Sequence, residues 1–302
     1  MKIKELLEKY TWANRENIAG YLFVTPYVIL FMIFTGIPFI ASFILAFLNV
    51  KFITRLDNLK FVGLNNFIKI FQNKETLSAL LRTFQYSIIY VPLIMIVGFI
   101  LAVLLNKGVH LKNTIRAMVF LPYVSNMVAV AVIFKILLGP KGPIIHLLSS
   151  IGMQNPPNLL LDLKLALPTI VCIAVWKGVG LNMIVYLAAL QDIPKSLIEA
   201  AQIDGANKLQ IILKVILPKL SPTTFFLLIS SIITSLQNFT VIKALTDGGP
   251  GQATTVMSLS IVQTAFTKFQ TSYASAQAIL VFIIVMVITI IQWRGQKKWV
   301  NY

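Results

Sequence analysis

Six polar side chains, Ser230, Ser231, Thr234, Ser235, Gln237 and Asn238, interrupt an apolar stretch, and four of them are spaced to meet a polar solute. Ser231, Thr234, Ser235 and Asn238 follow i, i+3, i+4, i+7 and so share one helix face. Hydroxyls and a carboxamide both donate and accept, which suits a hydroxyl-rich solute. The same residue types also join helices at membrane depth, so helix packing stands beside a solute pathway. Another apolar run holds Trp176 and Lys177 with Gly180 and Asn182. Trp176 could stack on a ring, anchor at an interface or simply pack. A lysine inside a membrane is either a functional cation or one that snorkels to the surface. A third group, Glu199-Ala200-Ala201 followed by Gly205, breaks no bonds. Its alanines leave a small surface that another protein can approach closely, and its glycine permits a turn.

Reaction chemistry has no other foothold. The chain has no H-E-x-x-H helix and no G-x4-G-K-[ST] phosphate loop, so it is read as non-catalytic. His110 and His146 lie in different connections, and no metal or cofactor is expected in this chain. Cys172 is single and cannot make an intrachain disulfide.

The elements that must position these residues follow from the apolar runs. The 302 residues are 57% hydrophobic and 12% charged, against about 25% charged in soluble domains. Uninterrupted apolar runs of about 20 residues recur, which a soluble core does not need. The net charge of +16 is not a nucleic-acid signal, because the basic residues lie between spans without interleaved aromatics. Six spans are expected, at 20–49, 83–105, 117–138, 165–190, 219–242 and 273–293. Pro26 and Pro38 lie in the first, which is long enough to tilt or bend. Glu5, Glu8 and Glu16 argue against a cleavable signal, so 1–19 reads as a tail and 20–293 as a transmembrane domain. Ile3, Leu6, Leu7 and Tyr10 have helical spacing, suiting either a surface helix or a solvated tail. An even number of spans puts both termini on one side. Lys and Arg are denser in 1–19, 106–116, 191–219 and 294–302, which places these segments, both termini included, in the cytoplasm. The expected fold is therefore all-α and polytopic, ending in a tail over 294–302.

Two connections are more than loops. The stretch 244–272 opens with the turn signal TDGGPG, and its apolar patch, Val256 to Phe266, is too short to span. A re-entrant or partial helix on the outer side fits, as does an ordinary surface helix. The cytoplasmic connection 191–217 reads as a helix, a glycine break and a second helix. Ile198, Ala201, Leu209, Ile212, Leu213 and Ile216 provide its apolar faces. Such a pair could lie on the inner leaflet or dock a partner protein.

Here the chain resembles a family. Glu199-Ala200-Ala201, three residues, Gly205, nine residues and Val215-Ile216-Leu217-Pro218 match the E-A-A-x3-G-x9-I-x-L-P loop of binding-protein-dependent transporter permeases. Val215 replaces the usual Ile. Further matches point to the sugar branch that includes the maltose permease: Phe61 to Phe67, Leu121-Pro122 with Ser125, Leu190-Gln191 with Ile193-Pro194, and Asp204-Gly205-Ala206. Leu245 to Pro250 with Thr254-Thr255, and Trp299-Val300 with Tyr302, resemble two more of its signatures. The large periplasmic insertion of the enterobacterial maltose permease is absent.

The resemblance implies a subunit of an ATP-driven ABC importer in a bacterial cell membrane. Its expected partners are a second homologous permease, two cytoplasmic ATPase subunits, an extracytoplasmic solute-binding protein and membrane lipid, with no nucleic acid. ATP and Mg would be bound by the ATPase, not by this chain. Glu199, Ala200, Ala201, Asp204 and Gly205 would form the ATPase-coupling surface, with Glu199 paired to an Arg of the ATPase. The resemblance also places solute contacts near Asn238 in the fifth span and adds Gly178 and Leu181 of the fourth. The solute would be a carbohydrate. Glycerol phosphate is the alternative, which Lys177 would favour. An ion-coupled secondary transporter would need carboxylates or broken helices in mid-span, and the six spans contain no Asp or Glu.

Overall fold

The computed structural model describes residues 2–51, 59–106 and 111–298, with side chains over 17–51, 59–106 and 111–297. The readings placed on His110, on Trp299, Val300 and Tyr302, and on the side chains of Ile3, Leu6, Leu7 and Tyr10 lie outside the described residues. Among the described residues every element is helical apart from one isolated bridge, Leu48 with Phe61.

The first span is α1 (Lys2–Phe31), a π turn (Met32–Gly36) and α2 (Ile37–Leu45). Pro38 explains the π turn. It has no N–H to donate, and its ring would strike the carbonyl four residues back, so the helix widens there. The most apolar window of this span buries nothing inside the chain. The span docks at its end, where Phe39 meets Phe282 edge-on at 5.5 Å. The chain then folds back into α3 (Asn65–Gln72). Asn66 fixes that return, since its Nδ2 donates to the carbonyls of Ala46 and Leu48, each at 2.8 Å. The motif Phe61 to Phe67 is thus a staple for the end of the first span.

Next comes α4 (Lys74–Asn106), whose first turn is capped by Asn73 Oδ1 accepting from the N–H of Glu75 and Thr76. Its 33 residues extend about 50 Å, more than a hydrocarbon core of about 30 Å. The third expected span is two helices, α5 (Lys112–Val124) and α6 (Met127–Leu137), bent by 99°. Ser125 and Asn126 are extended at the break, and Asn126 Oδ1 caps α6 by accepting from Val128 N–H at 2.8 Å. A short α7 (Pro143–Ser150) leads to α8 (Ala166–Gln191), the most enclosed span.

The cytoplasmic connection expected over 191–217 forms α9 (Lys195–Ile203) and α10 (Lys208–Ile211), which runs through a π turn (Ile212–Ile216) into α11 (Leu217–Lys219). This π turn precedes Pro218 by the same interval as the first precedes Pro38. The fifth span is also broken. It bends by 71° at Leu220 before α12 (Ser221–Leu236), which ends short of the expected 242. The chain continues as α13 (Thr240–Leu245), α14 (Met257–Val262) with a π turn (Gln263–Thr267), and α15 (Thr271–Gly295).

The core sits where α4 crosses α8, and α5, α6, α12 and α13 pack around that crossing. A Cβ on Gly180 would lie 2.7 Å from the Val119 carbonyl oxygen, so α5 and α8 touch backbone to backbone only because 180 is Gly. Polar stitches attach α15: Gln277 Nε2 donates to Thr76 Oγ1 at 3.1 Å, and Thr76 shares a hydrogen bond with the Tyr273 hydroxyl at 3.0 Å.

Candidate functional site

The residues expected to form a coupling surface occupy a turn that their own sequence builds. Gly205 N–H donates to Gln202 O and Ala206 N–H to Ala201 O, both at 3.0 Å. These are the two bonds of a Schellman cap, which requires a left-handed residue, and Gly205 has φ +80. Asn207 then starts α10 with a reciprocal capping box to Gln210, at 2.8 and 2.9 Å. One helix is closed and the next opened within four residues. Glu199, Ala200 and Asp204 are exposed and Ala201 is half-buried. Ile203 is 87% exposed and Leu209 64%, so the turn that follows Glu199 presents apolar side chains with little of this chain over them. A surface of that kind suits a protein partner.

The α12 stripe divides in the structure. Ser231 and Ser235 are buried, and Ser235 Oγ donates to Ser87 Oγ of α4 at 2.8 Å. Thr234 is exposed. Asn238 lies past the helix end, where Nδ2 donates to the Tyr86 hydroxyl and the backbone carbonyl accepts from Ser258 Oγ at 2.8 Å. No described side chain donates to Asn238 Oδ1. The stripe therefore both packs against α4 and leaves Thr234 and one acceptor of Asn238 open. Its partners Tyr86 and Ser87 were missed from the sequence, and Tyr90, stacked on Tyr86 with centroids 5.5 Å apart, extends the same polar seam.

On α8, Lys177 neither stands free nor reaches only for solvent. Its Nζ donates to Tyr123 O at 3.1 Å. Tyr123 is in the last turn of α5, whose carbonyls lack intrahelical partners. A cation there also meets the negative end of the helix dipole, so Lys177 helps to hold the 99° break. Gly178 faces α4, where a Cβ would come within 3.1 Å of Tyr90 and Ile94. Leu181 is 40% exposed and Trp176 47%. Trp176 packs edge-on against Phe134 at 5.3 Å and lines an apolar cavity of about 470 Å³ with Cys172, Leu138 and Ile144. None of the α12 polar residues lines that cavity.

The TDGGPG segment is a knot of hydroxyls. Thr254 Oγ1 bonds Gly249 O at 2.8 Å and Thr246 Oγ1 at 2.7 Å, and Thr255 Oγ1 donates to Gly248 O at 3.2 Å. Thr83 Oγ1 accepts from Met257 N–H at 2.8 Å, tying the segment to α4. The signature residues there are structural. Among the described residues no three His, Cys, Asp or Glu side chains converge on a metal position.

Known proteins match this arrangement. A family model described as binding-protein-dependent transport system inner membrane component covers residues 94–296. A probable ABC transporter permease, YesP of Bacillus subtilis, is 35% identical over 99% of this chain and 96% of its own length. The sn-glycerol-3-phosphate transport system permease UgpA of Yersinia pestis is 35% identical over 80% of this chain and 82% of its own. A chain of a bacterial alginate ABC transporter, solved with an alginate-bound periplasmic protein, superposes with a TM-score of 0.83 at 25% identity, covering 95% and 97% of the two chains. The chain is a multi-pass membrane protein and belongs to the family of binding-protein-dependent transport system inner membrane components.

Proposed function

We propose that this chain is one of two permease subunits of an ATP-driven importer for a hydroxyl-rich solute, a carbohydrate or a sugar-like phosphate. The observation that carries the reading is the exposed turn from α9 to α10, rigidly capped at both helix ends and continuous with the span that bears Ser231, Thr234, Ser235 and Asn238. Glu199, Ala200, Ala201, Asp204 and Gly205 seat a cytoplasmic ATPase subunit, which binds ATP and Mg. A single such surface engages one ATPase, so a second permease holds the other. Trp176, Lys177, Gly178 and Leu181 face or support the pathway from α8. The most apolar window of the first span, which buries nothing inside the chain, is left for lipid and the second permease to cover. Both termini are cytoplasmic, and the partial helix from Met257 lies on the outer side, where a solute-binding protein delivers its cargo.

The named relatives support the solute class. One is a glycerol phosphate permease and another belongs to an alginate transporter, and both solutes combine hydroxyls with negative charge. The test is a pull-down of the ATPase by Glu199→Lys. A desolvated charge pair loses several kcal/mol when one partner is reversed, so the ATPase should be lost while the chain remains in the membrane at normal level. Full retention of the ATPase with full transport would overturn the coupling role.

A further inference from the structure

A cavity of about 610 Å³ lies between the start of α4, the start of α8 and the turn at Gly251. It belongs neither to the coupling surface nor to the α12 group. Arg82, Gln85, Ile89, Lys164, Leu167 and Gly251 are among the residues that line it, and no carboxylate does. Arg82 Nη1 is buried with no hydrogen-bond partner. Among the described residues neither Arg82 nor Lys164 is in an ion pair, whereas Lys243 pairs with Asp247 and Lys268 with Glu75. The acids nearest in sequence do not line the cavity. Asp162 Oδ1 accepts from the N–H groups of Lys164 and Leu165 at 2.7 and 2.9 Å, and Glu75 holds Lys268 at 2.9 Å.

A buried guanidinium nitrogen without a partner is costly, and such groups demand an explanation. Water would satisfy its hydrogen bond but would leave two cations converging on one cavity without counter-charge. The first turn of α8 borders the same cavity through Leu167 and Pro168. Arg82 offers a planar fork for a carboxylate or phosphate, Lys164 a second charge, and Gln85 a donor and acceptor for hydroxyls.

We propose that this cavity binds an oxyanion, the carboxylate or phosphate of either a soluble sugar-like solute or a lipid headgroup. If the solute is the source, the site selects the negatively charged members of the solute class, a step that rests on the importer reading. Binding itself does not, so the test is made without transport. The full chain, with whatever subunits accompany it, is placed in phosphatidylcholine nanodiscs and titrated with glucuronate, inorganic phosphate and glucose. The two anions should raise the Tm and glucose should not, and about tenfold more salt should weaken the effect. Arg82→Gln should weaken anion binding about tenfold or more. Should that variant fail to fold, Lys164→Glu at an exposed position should abolish the anion effect. In nanodiscs containing phosphatidylglycerol, lipid that co-purifies with wild type but not with these variants assigns the headgroup as the source. Anion affinity and lipid retention unchanged in both variants, or glucose bound as tightly as glucuronate, would overturn the site. The titration needs no ATPase, so it succeeds or fails independently of the Glu199 pull-down.

Discussion

Replacing Gly205 separates coupling from folding more cleanly than any other change in the loop. A Cβ at this position would meet nothing within 4 Å, so substitution creates no clash. All the penalty lies in the backbone, because φ is +80. A left-handed conformation costs an L-residue about 1–2 kcal/mol, and less for Asn. The chain can escape that strain only by opening the cap bonds from Gly205 and Ala206, which would tilt Ala200 and Ala201 away from the proposed ATPase partner. If docking requires the closed cap, the same 1–2 kcal/mol appears as about 5- to 30-fold weaker ATPase binding for Gly205→Ala. Gly205→Asn should bind nearly as wild type, and the β-branched Gly205→Val should be weakest. The assay is equilibrium binding of the purified ATPase to the chain in nanodiscs, with Tm recorded on the same samples. Tm should barely move, since no span packs on residue 205. Wild-type affinity for Gly205→Val would refute the argument, as would Asn and Ala variants of equal affinity.

Gly180→Val presents the opposite case, because its Cβ would lie 2.7 Å from the Val119 carbonyl oxygen and 2.8 Å from Phe120 Cα. Backbone must move, so membrane-inserted protein should fall sharply, checked by quantitative blot; normal levels would contradict the close α5–α8 approach. Asn238→Leu leaves the buried Tyr86 hydroxyl without its partner, for about 1–3 kcal/mol. On the pathway reading, the protein should still bind ATPase but show a raised KM for transport, and unaltered kinetics would remove Asn238 from the pathway. With Cys172 changed to Ser, cysteines at the exposed positions Phe61 and Ile203 should react with impermeant reagent from opposite sides, Phe61 from outside. The reverse order would invert the proposed orientation.

What could be read in advance was what is encoded within about ten residues. Apolar runs located the long helices, which form four continuous candidate spans and two bent pairs, and Gly205 marked a turn because glycine takes positive φ at no steric cost. The capping box Asn207-x-x-Gln210 was equally local and went unread, although its spacing is visible. The bends were harder. Pro122 and Pro218 lie near them, but the 99° break also depends on the Asn126 cap and on Lys177, which reaches Tyr123 from 54 residues away. Helical spacing grouped Asn238 with Ser231, whereas the helix stops at Leu236. The pairs Tyr86–Asn238 and Ser87–Ser235 join residues 152 and 148 apart, and no periodicity shows which helix a face will meet. Arg82 was assigned to a connection, and only the cavity beside it reveals that its charge is unmatched.

Three glycines show why residue type alone could not settle roles. Gly205 is required by its φ, Gly180 by a neighbouring backbone, and Gly248 by both, since φ is +91 and a Cβ would sit 2.5 Å from Thr255 Oγ1. Only the first lies on an open surface, and so only the first can be altered without disturbing a span. That difference bears on transmission. From α9 the chain passes through one cap, one capping box, a π turn and the buried Leu220 into α12, with no flexible linker between. A force applied at Glu199 therefore reaches Ser231 and Ser235 through hydrogen-bonded backbone. Ser235 is in turn tied to Ser87 of α4, the longest helix of the core, so a displacement of the loop cannot stay local to it.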